Sequence, residues 1–207
     1  MWKGHGLEKE KDFVSSLRRK IKEEKMRKKS THIEKFYYLY PQTVAFVGYA
    51  DNIMPAAWHT PISAQPPLHG VLISSERHTF SLLDQKRGFT INLLGHEYAE
   101  ISAKTGNTSG RDMDKLERFA IEYEYGDHIK GPILTHSYAA YECEYCTAYE
   151  LGDHFLFVGK IVLVHYDDAY LQKGGIVDPD KIKPMLYFGK DRYITIDPRT
   201  LVIKPHQ

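Results

Sequence analysis

SYAAYECEYCTAYEL, residues 137–151, alternates along its whole length, and HFLFVGKIVLVHY, residues 154–166, follows after a Gly-Asp break. One face of the first run carries Ala139, Tyr141, Cys143, Tyr145, Thr147, Tyr149 and Leu151. The other carries Ala140, Glu142, Glu144, Cys146, Ala148 and Glu150. A period of two sustained over this length describes a long strand, and the two-residue break predicts a hairpin. Working outward, TVAFVGYA (43–50), HGVLISS (69–75), FTINLL (89–94) and RYITID (192–197) are further β-rich runs, bounded mostly by Pro, Gly or Asp. Short helical patterns lie between them. Thr79 to Arg87 stops at Gly88, and Glu97 to Lys104 stops at Gly106. Arg111 to about Tyr123 places Met113, Leu116, Phe119, Ala120 and Tyr123 on one face. Many strands with a few short helices predict a mainly β protein, a barrel with helical insertions.

The 207 residues suffice for one domain with a real core. Hydrophobic content of 42% and charged content of 27% are those of an ordinary soluble domain. The formal net charge of +1 gives no overall field toward nucleic acid or membrane. No apolar run approaches the roughly 20 residues needed to span a bilayer, and the first residues are too charged for a signal peptide. A cytoplasmic protein is expected. Two cysteines make no disulfide framework.

Charge is nevertheless uneven. Residues 1–35 hold 12 Lys/Arg and 6 Asp/Glu, near +6, and the rest hold 16 and 21, near −5. Phe13, Val14, Leu17 and Ile21 follow helical spacing, so a basic helix is expected over about 8–28, followed by a joint at KKSTH. The division expected is therefore a helical extension, 1–35, and a main domain, 36–207. The helix reads either as a solvated element docked by a narrow stripe or as an arm for nucleic acid or a partner. Interleaved acids disfavour the nucleic-acid reading.

Three stretches carry chemistry. GNTSGRDMDK (106–115) combines glycines, hydroxyls, Arg111 and Lys115 before a helical pattern. Ser109 fits the N-cap of an S-x-x-D box, and a helix start offers N–H donors to an anion. A well-capped helix with surface charges is the plainer alternative. SSERHT (74–79) repeats the logic, with Ser74, Ser75, Arg77 and Thr79 as phosphate-competent donors and Thr79 as a plausible cap. NIMPAAWHTPISAQPP (52–67) sets the small pair Ala56–Ala57 beside Trp58, which would admit a flat ring, or else forms an irregular strand with a core tryptophan.

These pieces occur together and in order in a known family. The chain resembles the flavin reductase-like proteins with the FMN-binding split barrel, especially the flavoredoxin type. The matching pieces are PQTVAFVGYADNIMPAAWHTPISAQPP, SSERHTFSLL, GFTINLL, TGNTSGRDMDK, ELGDHFLFVGKIVLV and PMLYFGKDRYITI, which together span about Tyr40 to Asp197. The resemblance implies a six-stranded Greek-key barrel and a homodimer with FMN near the subunit interface. It implies that Ala56, Ala57 and Trp58 lie along the isoalloxazine, and that Ser74, Arg77, His78 and Thr79 meet the phosphate. It further implies that Asn92 and Leu93 contact the ring edge or ribityl chain and that Ser109 and Lys115 close the phosphate site. His154 would stand on the nicotinamide side. The activity implied is hydride transfer from NADH or NADPH to FMN. An electron carrier fed by a redox partner protein is the alternative, and a binding module using the basic helix is a third reading of another class. The N-terminal extension lies outside the resemblance.

CEYC (143–146) invites a zinc or redox reading, but a zinc site needs four ligands, and these two cysteines fall on opposite strand faces. No metal site is expected. There is no G-x-S-x-G, and without a G-x-G-x-x-G any nicotinamide nucleotide would dock transiently.

Overall fold

The computed structural model describes residues 12, 15–16, 29–32, 37–83 and 87–203. The expected basic helix lies outside the described residues, except that Asp12, Ser15 and Ser16 are helical. The chain divides into two compact units, 1–38 and 39–207, and the second holds all the strands.

Seven strands form the main sheet: β1 (Ala45–Tyr49), β2 (Asn52–Ala56), β3 (His59–Ala64), β4 (Pro67–Ser74), β5 (Phe89–Leu93), β6 (Ala139–Leu151) and β7 (His154–Tyr166). Their order is β2-β1-β5-β6-β7-β4-β3, antiparallel throughout. The two edge strands, β2 and β3, are consecutive in the chain and separated only by Ala57 and Trp58. A sheet whose edges are joined by two residues has to curl until they meet. Counted as one bent strand, β2–β3 closes a six-stranded barrel, the fold that the flavin-reductase resemblance implies. The corner stays pinned because Leu72 N donates to Trp58 O at 2.9 Å.

The β6–β7 hairpin pairs Leu151 with His154 across the expected Gly152–Asp153 turn, and Gly152 takes a φ of 72° there. The even alternation read from sequence does not run through the whole strand. Thr147 and Tyr145 pair with adjacent Val158 and Gly159, leaving Cys146 as an extra bulged residue. A bulge reverses which face later side chains occupy. Glu144 and Glu142 both precede Cys146 and keep one alternation, but the 127–129 segment, whose N–H groups donate to the carboxylate, covers Glu142. Glu142 is 0% exposed, while Cys143 is buried and Cys146 exposed.

β1 is buried at all five positions because it has neighbours on both faces. Ala45, Val47 and Tyr49 point into a core with Val71, Ile73, Phe89, Ile91 and Phe157. Val44 and Phe46 point the other way, into a second cluster with Ile53, Leu94, Leu116, Leu134 and Met185. Each such fully buried aliphatic or aromatic side chain contributes roughly 1.5–3 kcal/mol. Of the expected helices, Glu97 to Lys104 is found shifted by two residues and Arg111 to Tyr123 shrinks to one turn. Among the described residues of the second unit the α-helices are α1 (His78–Leu83), α2 (Ala99–Gly106) and α3 (Lys115–Arg118). Among the described residues no helix is long and apolar enough to cross a membrane.

Candidate functional site

The β2–β3 corner opens a cavity of about 700 Å³ on the barrel wall. Met54, Pro55, Ala56, Ala57 and Trp58 supply one side, and Ser74, Glu76 and Arg77 follow from the end of β4. His154, the first residue of β7, pairs with Ser74 in register and so reaches the same cavity. Its ring lies 4.9 Å from that of Trp58, and its Nδ1 is 2.8 Å from Asp153 Oδ1. That hydrogen bond orients the imidazole and holds the Asp153 carboxyl below its ordinary range. Six residues chosen from sequence therefore meet here: Ala56, Ala57, Trp58, Ser74, Arg77 and His154.

Behind Arg77 lies a group of cations. Lys115 is 3% exposed, and among the described residues its Nζ donates only to Thr105 O, 3.3 Å away in the last turn of α2. Burial, and then the nearby Arg77 charge, push its ammonium down to about 8. His78 is lowered by burial and by the charges of Arg111 and Lys115. Arg111 donates to Glu76 O at 3.0 Å. Among the described residues, no carboxylate lies within ion-pair distance of Arg77, Arg111 or Lys115. Buried charge is normally paired. A buried ammonium whose neighbours are cations therefore lacks an anion.

The sequence-predicted capping does not hold. Ser109 caps no helix; its Oγ accepts from Arg111 N at 3.2 Å in a local turn. The cap of α3 is Asp114, whose Oδ1 accepts from Leu116 N and Glu117 N at 2.8 and 3.0 Å. Two competing acidic or hydroxyl caps stood in SGRDMD, and a carboxylate is the stronger acceptor. Thr79 lies inside the first turn of α1, and its buried hydroxyl accepts from Asn52 Nδ2 at 2.9 Å. The 107–114 loop is folded tightly. A Cβ on Gly110 would stand 2.3 Å from Asn52 Oδ1 and 2.8 Å from His78 Cδ2.

Asn92 and Leu93 do not line the cavity. The fully buried Asn92 amide clamps β5 to the 132–137 segment. Nδ2 donates to Pro132 O at 3.0 Å, and Oδ1 accepts from Leu134 N at 2.8 Å. His78, Thr79, Ser109 and Lys115 also lie off the cavity lining, on the cationic side.

A further part of the lining escaped the sequence reading as site residues. It comprises Tyr40, Tyr187, Tyr193, Ser102, Asn107 and Asp191. Tyr187 lies 5.5 Å from both Tyr40 and Tyr193, and Ser102 Oγ donates to Tyr193 Oη at 3.3 Å. Only FGKDRY, with its turn-forming Gly-Lys-Asp, signals that part in the sequence.

Comparison with known proteins gives a consistent result. An FMN-binding protein of Thermus thermophilus, whose structure holds 1-cyclohex-2-enone, superposes with a TM-score of 0.76 at 33% identity, covering 87% of this chain and 100% of that one. The flavoredoxin of Desulfovibrio vulgaris gives a TM-score of 0.75 at 26% identity, covering 86% and 97%. An uncharacterized protein of Archaeoglobus fulgidus is 34% identical over 136 residues, 64% of this chain and 77% of its own length. The model of the flavin reductase like domain matches residues 37–196, which include every residue lining the cavity. The chain belongs to the flavin reductase like domain family.

Proposed function

We propose that this protein binds FMN in the cavity at the β2–β3 corner and acts as an NAD(P)H-dependent flavin oxidoreductase. The observation that carries the reading is the buried, anion-lacking Lys115 beside Arg77 and His78. A phosphomonoester dianion fits that chemistry, because it accepts several charge-assisted hydrogen bonds and relieves the repulsion among the cations. The cavity also fits by size and lining. About 700 Å³ lies within the range of cofactor pockets, and the corner offers two alanines beside an aromatic ring. Arg77, Lys115, Ser74 and Ser109 would hold the phosphate, and Ala56, Ala57 and Trp58 would face the ring system. The FMN-binding and flavoredoxin relatives support the same choice.

When bound, FMN supplies the two-electron acceptor for the hydride of a nicotinamide nucleotide. The chain's own part is to bind, orient and exclude water. Asp153 fixes His154 through Nδ1, which would leave Nε2 for the second substrate. Trp58, packed on His154, limits water at the cavity mouth. A homodimer belongs to this proposal. Tyr149, Leu151, Val164 and Tyr166 on the β6–β7 hairpin are exposed apolar groups of the kind interfaces cover.

Anaerobic titration of the flavin-loaded protein with NADH and with NADPH tests the activity. Bleaching of the flavin absorbance by at least one nucleotide is expected. A flavin that stays oxidised with both, yet is reduced by dithionite, contradicts the reductase reading and leaves an electron carrier fed by a partner protein.

A further inference from the structure

The cavity lining also carries acids, Glu76 and Asp191, which a bound phosphate does not account for. Asp191 is an exposed residue of that lining. Its Oδ2 accepts from Asn107 Nδ2 at 3.2 Å, and Oδ1 has no protein donor among the described residues. The chain takes a disfavoured path to present it. Gly189, Lys190 and Asp191 follow one another with φ of 84°, 53° and 53°, the left-handed region that side chains other than those of Asn and Asp rarely adopt. Arg192 does not neutralise Asp191. Its Nε donates to Gly189 O at 3.1 Å and its terminal amino group to Phe188 O at 3.2 Å, so the guanidinium is spent on holding the turn. The turn caps the short hairpin in which Tyr187 pairs with Tyr193, and those two rings form the adjoining wall. Glu76, the other acid lining the cavity, lies next to Arg77 on the cationic side.

A carboxylate oriented by a neutral amide, open on one oxygen and next to an aromatic wall, accepts hydrogen bonds from hydroxyls and repels phosphate. We propose that Asp191, positioned by Asn107, is a specificity-determining residue that receives the ribose hydroxyls of the nucleotide reductant and disfavours a 2′-phosphate there, so that this site uses NADH in preference to NADPH. The proposal rests on the flavin-oxidoreductase reading above.

Steady-state kinetics with both nucleotides, together with FMN titration, test it on the full-length flavin-loaded protein and on Asp191→Asn. Asparagine tolerates the left-handed backbone and keeps the side-chain shape. The wild type is expected to have a higher kcat/KM with NADH. In Asp191→Asn the KM for NADH rises about tenfold with kcat within about twofold, the KM for NADPH stays or falls, and the FMN Kd changes by less than about threefold. Asn107→Ala moves the same ratio in the same direction by a smaller factor. A wild type that prefers NADPH overturns the proposal. So does a variant in which FMN affinity falls while the NADH-to-NADPH ratio is unchanged, since Asp191 would then serve the flavin or the fold. If Asp191→Asn does not fold, Asp191→Gly, which suits the same φ, is read in its place. A wild type that binds no FMN removes the flavin reading itself and this proposal with it. A wild type that binds FMN but oxidises neither nucleotide overturns the proposal while leaving FMN binding intact.

Discussion

Lys115 is where stability and function separate. Its ammonium is buried against other cations, so the flavin-free fold carries it at a cost. Replacing it by methionine removes the charge and keeps the stem. Lys115→Met is expected to raise the thermal midpoint of the flavin-free protein and to weaken FMN about tenfold to a hundredfold, the value of one charge-assisted contact. Calorimetry and fluorescence quenching check the two halves. The sign of the pH dependence follows from the depressed value of about 8 against an ordinary 10.5. Between these values the unfolded chain holds a proton that the folded protein has released, so this residue makes stability rise with pH across that window. A bound phosphate favours the ammonium, so FMN binding takes up a proton there and weakens as pH rises above about 8. An FMN affinity that is flat from pH 7 to 10 would contradict the placement of Lys115 at the phosphate. Arg77, Trp58 and His154 were legible as site residues because each sits in a local pattern whose chemistry is short-range. Tyr187 and Asp191 were not, because they reach the cavity through a hairpin more than a hundred residues from the β2–β3 corner.

Among the elements, the 107–114 loop and the β6 strand each hold one position that decides their shape. Gly110 allows the loop to pass within contact of Asn52 and His78. A methyl group there presses on the buried Asn52 amide and the partly buried His78 ring, so side chains or loop must shift. Gly110→Ala is expected to weaken FMN about tenfold and to lower the thermal midpoint by several degrees. An unchanged FMN affinity would show that the loop does not shape the site. On β6, Glu142 is the keystone. Its carboxylate accepts from Asp127 N, His128 N and Ile129 N at 2.9, 2.7 and 2.7 Å and lies 2.8 Å from His165 Nε2. Burial alone would raise its carboxyl, but those hydrogen bonds outweigh burial and hold it below the ordinary range. Its contribution is thus complete above a pH of about 4.5 and is lost as pH falls below it. Glu142→Gln is expected to cost about 2–4 kcal/mol in denaturant unfolding at neutral pH, because one buried N–H is left facing an amide donor. The sequence hid this role. Alternation groups Glu142 with Glu144, and nothing local to CEYC announces the distant 127–129 segment that folds over Glu142. The hairpin itself was legible, since alternation and the Gly-Asp turn are local signals. The helix starting at Lys115 was misplaced because Ser109 and Asp114 compete as caps within one turn-rich stretch.

At the scale of the whole molecule, the barrel and its cavity belong to residues from Tyr40 onward. Protein lacking residues 1–35 is therefore expected to fold and to purify with FMN, and a colourless truncation that cannot be reconstituted would show that the basic extension helps form the site. Acid should unfold the barrel early. His69 is buried between β3 and β7, and burial followed by the His59 charge pushes its imidazole down to about 4 from 6.5. The unfolded chain takes up a proton across that window that the folded protein refuses, so stability declines as pH falls from 6.5 toward 4. His69→Gln should flatten that part of the profile. The central claim is that a cation cluster around the buried Lys115, beside the corner cavity, holds the phosphate of a flavin mononucleotide. Equilibrium titration of the apoprotein with FMN and with riboflavin tests it most directly, because the two ligands share the ring and the ribityl chain and differ only in the phosphate. The expected result is FMN binding at least about a hundredfold tighter than riboflavin, the loss of two charge-assisted contacts. Equal affinities, or tighter binding of riboflavin, would contradict it.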